Sequence, residues 1–223
     1  MSTTKFNGKQ HQVKVVTPTG VAMWASLKTP KKFKGDDKSN FMCDLQIPEG
    51  EAKSIINQCE GVIEALIADM PKKPRLSIYK PWRTHEDDAK VPEGVVQFKF
   101  KQPYFPESER GPETKPIKTV MYQGTGKNGK VEGSVIDWDA TNWMVGNGST
   151  VQIGGYIRPY FNNALGLGVS LRLEVMLVHE LKKFEGESSD DFADLMPSNA
   201  EAQEKSTSTK ADASVSDSAA DLF

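Results

Sequence analysis

Along most of the chain apolar residues recur at every second position, and in one stretch they recur at helical spacing. In residues 21–28, Val21, Met23, Ala25 and Leu27 alternate with Ala22, Trp24, Ser26 and Lys28. This predicts a half-buried strand with Trp24 on its polar face. Residues 39–47 repeat the pattern with Phe41, Cys43, Leu45 and Ile47 inward, and Pro48 stops the strand. From Glu51 to Met70 the period changes: Ile55, Ile56, Cys59, Val62, Ile63, Leu66, Ile67 and Met70 form one stripe. Glu49 and Glu51 favour the positive end of this helix, and Pro71 ends it. Its apolar stripe suits the plug or cap of a barrel.

Strand periodicity returns at residues 95–101, where Val96, Phe98 and Phe100 oppose Gln97, Lys99 and Lys101. A short strand is expected near Ile117 to Tyr122, followed by the Gly/Asn turn GTGKNGK and a strand-like VEGSVIDWD. In residues 151–161, Val151, Ile153 and Ile157 share one face and Tyr156, Arg158 and Tyr160 the other. Gly154 and Gly155 permit a bulge or bend, and NNALG makes a hairpin turn. Residues 169–181 are apolar on both parities, which predicts a central strand buried on two sides. Several strands, one inserted helix and no βαβ alternation predict a mainly β fold, a five-stranded Greek-key barrel of the OB type.

Charge divides the chain. From Glu185 onward ten acids face only Lys205 and Lys210, so the net −2 resolves into a tail near −8 and a body near +6. The Ser/Ala/Thr/Asp-rich tail cannot bury enough apolar surface to offset its ordering entropy, so residues 1–184 are expected to fold as one domain and 185–223 to stay disordered. At its end Asp221, Leu222 and Phe223 form a small docking motif in which a large apolar pair sits beside the terminal carboxylate. Cys43 and Cys59 lie in apolar segments without CxxC spacing and read as reduced core thiols. His11, His85 and His179 are too scattered for a metal site, and no cofactor is expected. No leader-like stretch or apolar run long enough to span a membrane occurs, which predicts a soluble, cytoplasmic protein.

A cationic body suits a polyanionic ligand, and the candidate contacts interleave charge with rings. The arm at 71–92 carries Lys72, Lys73, Arg75, Lys80 and Arg83 among Tyr79 and Trp82, so that cations track phosphate and rings stack on bases. The alternative is a solvated loop with Trp82 tucked into the barrel. Lys99 and Lys101 form a basic stripe, and Tyr156, Arg158 and Tyr160 a stacking platform with a phosphate anchor between its rings. Gly124 to Lys130 matches the first part of a phosphate-binding P-loop, but Val131 stands where Ser or Thr is needed and a strand follows where a helix is needed. Nothing else resembles a catalytic set, which argues against an enzyme.

The stretch RPYFNNALGLGVSLRLEVMLVHELKKF (158–184), with FMCDLQIP (41–48) before the helix, GVVQFKFK (94–101) and an acidic tail ending in an aromatic residue, resembles the single-stranded DNA-binding proteins of tailed phages. The resemblance implies an OB-fold and sequence-independent binding of single-stranded DNA in replication and recombination. It also implies annealing of complementary strands and tail contacts with the phage DNA polymerase and helicase-primase in the infected host cell. Tyr160 and Lys101 match DNA-facing positions of that family, and Lys38 is a weaker match; Lys205 and Lys210 make this tail less densely acidic than is usual there. The family contains monomers and dimers, which leaves a homodimer open. An RNA-binding OB module shares the same barrel and rings.

Overall fold

Alternation at residues 39–47 and 95–101 is realised as two neighbouring strands whose inward side chains, Phe41, Cys43, Leu45 and Ile47 with Val96, Phe98 and Phe100, are all buried. The computed structural model describes residues 11–32, 39–69, 78–108, 111–125, 131–162 and 166–184. Its elements run β1 (Val13–Val16), β2 (Gly20–Lys31), β3 (Asn40–Pro48), α1 (Glu49–Ala68), β4 (Ile78–Tyr79), β5 (Trp82–Arg83), β6 (Val95–Pro103), β7 (Lys118–Thr125), β8 (Val131–Val135), β9 (Met144–Val145), β10 (Ser149–Asn162), β11 (Gly166–Glu180) and β12 (Lys183–Phe184). Lys38, the basic residues 72, 73 and 75 of the arm, residues 126–130 and 163–165, and the tail with Asp221, Leu222 and Phe223 lie outside the described residues.

The sheet closes on itself in the ring β2–β3–β6–β11–β10–β2. All of these pairings are antiparallel except β6 with β11, which is parallel. This is the connectivity of an OB barrel, as the periodicities predict. Helix α1 begins at Glu49 rather than Glu51, with the Glu49 amide donating to the Gly94 carbonyl at 3.0 Å. Its buried stripe of Ala52, Ile55, Cys59, Val62, Ile63 and Leu66 packs on β3, β6, β10 and β11 and joins the barrel core, as a cap does. Both cysteines are buried free thiols, and burial pushes the Cys43 pKa far up. No helix among the described residues is long and apolar enough to cross a membrane. β8 pairs antiparallel with β7, so a strand follows the GTGKNGK segment and the helix that a phosphate loop requires is not there.

Two expected faces are corrected. In β2 the inward residues are Gly20 and Ala22, with Val21 and Met23 outward, and Leu27 alone of the expected set is fully buried. The parity flips at Trp24, which adopts a left-handed φ of +54° where the β2–β3 register breaks between Met23 and Ser26. β11 is central, pairing with β10, β6, β7 and β4, but it is not buried on two sides. Leu167, Val169, Leu171 and Leu173 point inward, then Met176 and Val178, because the β10–β11 register slips at Gly154/Gly155 and leaves Glu174 unopposed. Apolar residues on both parities therefore record a bulge. Gly155 is what admits it: a Cβ there would lie 1.8 Å from the Arg172 carbonyl oxygen.

Candidate nucleic-acid interface

β3 and β6 run side by side across the barrel, so their outward residues form a strip two strands wide. Met42 stands across from Lys101, Asp44 from Lys99 and Gln46 from Gln97. The inward phenylalanines buried beneath hold Lys99 and Lys101 outward by simple alternation. Along the strip Gln46 Nε2 donates to Gln97 Oε1 at 2.9 Å, and Gln97 Nε2 donates to Asp44 Oδ2 at 2.9 Å. The Asp44 carboxyl is pushed above the usual carboxylate range by burial; Lys99, the Gln97 hydrogen bond, Arg83 and Lys101 pull in the opposite direction.

On one side of the strip lies an open cleft of about 490 Å³, lined by Lys101, Arg158, Tyr160, Ser170 and Arg172 among others. Three cations thus converge on one hollow. Arg158 and Tyr160 come from β10, opposite Ser170 and Gly168 of β11, and Arg172 lies beside Lys101 across the parallel β6–β11 pairing. The Arg172 guanidinium pairs with Glu174 at 3.5 Å. Desolvation lowers its pKa, offset by Glu174 and reinforced by Arg158, yet a guanidinium keeps its charge at neutral pH. Tyr79, half exposed on β4, approaches Tyr160 with ring centroids 6.1 Å apart. Gly168 makes that approach feasible: a Cβ there would stand 2.5 Å from the Tyr79 carbonyl oxygen and 3.2 Å from the Tyr160 hydroxyl. Desolvation, with the Tyr79 neighbour, pushes the Tyr160 phenol up to about 12, so it stays protonated and able to donate.

On the other side is a wider cleft of about 650 Å³ with an apolar floor. Trp24, Met42, Met144 and Phe184 line it, and Lys31, Lys99 and Lys183 supply its charge. Trp24 is 63% exposed, an unusual state for its ring. Its left-handed backbone is held by its amide, which donates to Asn147 Oδ1 at 2.6 Å, and the neighbouring Gly148 amide donates to the Ala22 carbonyl at 2.9 Å. A strained non-glycine backbone pinned beneath an exposed indole is a feature of binding sites.

The structure thus brings Trp24, Tyr79, Lys99, Lys101, Arg158 and Tyr160 onto or beside one strip. Tyr156 is half-buried on the same parity of β10, opposite Arg172, but does not line the cleft. Arg83 is exposed and holds Asp88 through Nη1–Oδ2 at 3.1 Å. With Lys99 and Tyr79 it lines a small hollow between the arm and the strip. Trp82 is a correction: it is only 8% exposed, pairs across from Phe98 with ring centroids 6.4 Å apart, and belongs to the core. Lys80 covers its outer face, with Nζ 5.1 Å from the ring. Sequence reasoning missed Arg172, although Ser170, Arg172 and Glu174 alternate with Leu171 and Leu173, and it missed Phe184, whose two-residue strand β12 has no periodicity to read.

No family model matches the chain. The single-stranded DNA-binding protein of Escherichia phage T7 is 28% identical over 177 residues, which are 74% of this chain and 72% of that protein. The single-stranded DNA-binding protein of Enterobacteria phage T3 is 30% identical over 138 residues, 60% of this chain and 54% of that one. The crystal structure of gp2.5, a single-stranded DNA-binding protein encoded by bacteriophage T7, superposes with a TM-score of 0.53 at 21% identity, covering 84% of this chain and 97% of that one, and so shares the barrel. Relatives and fold together bear out the resemblance read from the four sequence segments: the chain is similar in sequence to the single-stranded DNA-binding proteins of phages T7 and T3 and shares the barrel of gp2.5.

Proposed function

We propose that this protein binds single-stranded DNA without catalysis, on the strip formed by β3 and β6 and in the clefts on either side of it. The observation that carries the reading is the juxtaposition, on one OB-barrel face, of Lys99 and Lys101 with exposed rings to either side, Trp24 at one edge and Tyr79 with Tyr160 at the other. Cations along a groove take the phosphates and rings take bases by stacking, which needs no particular sequence. Homology to proteins named for single-stranded DNA binding supports the same conclusion. The role follows as coating and protecting single strands during phage replication and recombination in the host cytoplasm.

Residues 1–184 act as the binding module and 185–223 as an acidic appendage. Its charge opposes that of the body, and Asp221, Leu222 and Phe223 dock on replication proteins, the phage DNA polymerase and helicase-primase. Fluorescence titration of the whole chain with dT oligomers at two salt concentrations tests the central claim. Binding should quench Trp24 emission and weaken as salt rises, and Tyr160→Ala should cost about 1–3 kcal/mol of affinity while the fold persists. No binding at low salt, or an affinity indifferent to Tyr160, refutes it.

A further inference from the structure

Among the outward positions of the β3–β6 strip Asp44 is the only acid, and it occupies the middle of β3. By register it stands between Met23, next to the exposed Trp24, and Lys99. It lines both the Trp24 cleft and the hollow below Tyr79 and Arg83. The amide relay from Gln46 through Gln97 ends on Asp44 Oδ2. Among the described residues Oδ1 has no hydrogen-bond partner, and it is screened from water. A carboxylate only accepts hydrogen bonds, and a buried acceptor left unmatched is costly, so its place in a surface meant for a polyanion calls for a reason.

A DNA strand supplies few donors. Phosphodiesters and deoxyribose offer acceptors alone, so an N–H for Asp44 has to come from a base. Cytosine, adenine and guanine carry exocyclic amino groups; thymine has a single ring N–H set between two carbonyl oxygens, which a carboxylate repels. The flexible cation across from Asp44 is Lys99, whose charge is the largest influence favouring the ionised form against the effect of burial. Asp44 lines the same cleft as Trp24, so a base resting on that ring presents its edge toward the carboxylate.

We propose that Asp44 accepts a hydrogen bond from the exocyclic amino group of a base stacked on Trp24, giving an otherwise sequence-tolerant face a bias against thymine. The proposal rests on the single-stranded DNA reading above and adds a base preference to it. Gln97 is then a positioning residue, occupying Oδ2 so that Oδ1 is left for the ligand.

The full chain is titrated with labelled oligomers of dC, dA, dT and a 2-pyrimidinone deoxynucleoside, which is cytosine without its amino group. Wild-type protein should bind dC about five- to tenfold more tightly than dT, the analogue should fall to the dT level, and Asp44→Asn should bring the dC-to-dT ratio to about one. The analogue arm uses unaltered protein and stands even if the substitution disturbs folding. Binding to none of the oligomers would overturn the function and with it this inference. Binding in which dC and its analogue are equal, or a dC-to-dT ratio unchanged by Asp44→Asn, would overturn the inference alone. Wild-type preference for U over dT oligomers that Asp44→Asn abolishes would assign the donor to a ribose 2′-hydroxyl and overturn the base assignment.

Discussion

The two clefts beside the β3–β6 strip are built from opposite materials. One gathers Lys101, Arg158 and Arg172 around Tyr160, with guanidinium groups fixed by facing strands of one hairpin. The other has Trp24, Met42, Met144 and Phe184 as its floor, and its cations are lysines at the end of long stems. Guanidinium groups in fixed forks match phosphate oxygens, whereas an exposed indole over an apolar floor matches a base. The pair teaches that the two edges of one barrel face differ in emphasis: β10 and β11 concentrate guanidinium charge around Tyr160, and β2 offers a more exposed ring, Trp24, over an apolar floor with lysines at its rim.

Four changes probe that difference, in order of expected effect. Gly155→Ala drives a Cβ against the Arg172 carbonyl, so it should cost about 3 kcal/mol of stability in a urea melt and disorder the arginine cleft through the β10–β11 bulge. Unchanged stability would mean that the bulge accommodates a side chain and does not set the Arg172 position. Trp24→Ala should lose about 1–3 kcal/mol of affinity for single strands while the slope of log K against log salt stays constant, because stacking releases no counterions. A changed slope would place phosphate, not base, over the indole.

Arg172→Ala should do the reverse, lowering that slope by about 0.7 with little dependence on base composition. The smallest effect concerns Asp44. Burial raises its pKa, so the folded protein holds that proton more tightly than the unfolded chain does. The stability this adds relative to Asp44→Asn is full below the unfolded carboxyl pKa of about 3.9 and is lost as pH rises through the higher folded value. Melting curves from pH 7 down to pH 4 should therefore move in favour of wild type over Asp44→Asn. A difference independent of pH would show that Asp44 titrates as an ordinary surface carboxylate.

Strands that alternate without interruption were legible from residues alone: β3, β6 and the inward set Val151, Ile153 and Ile157 of β10 are buried as their period requires. Where the backbone inserts a residue, period-two reasoning carries the wrong parity onward. That happened before Trp24 in β2 and after Glu174 in β11, the second of which looked like burial on two sides. For Trp82 the residues left two readings open, an exposed ring on the arm or one tucked into the barrel, and the second holds. A ring in a basic, proline-rich arm reads as exposed, and only the β5–β6 pairing puts it over Phe98. The Tyr79–Tyr160 contact and the place of Arg172 beside Lys101 depend on parallel pairing between segments distant in sequence, which no local pattern encodes. Edge elements such as β1, β9 and β12 are too short to announce themselves.

The place of β11 in the sheet has a consequence for how the protein is made. It is hydrogen-bonded to β10, β6, β7 and β4, segments that precede it in the chain, and through β10 it seals the ring. A ribosome delivering the chain from its start therefore releases β2, β3 and β6 long before the strand that joins β6 to β10. Until residues 166–180 emerge, the nascent chain carries two open sheet edges and an α1 whose apolar stripe lacks part of its floor. Closure must wait for contacts far apart in sequence, which makes folding slow and leaves the unfinished sheet prone to pairing with other chains. Barrel closure thus comes late in synthesis, and a chain cut short before β11 is expected to leave open sheet edges rather than a smaller binding module.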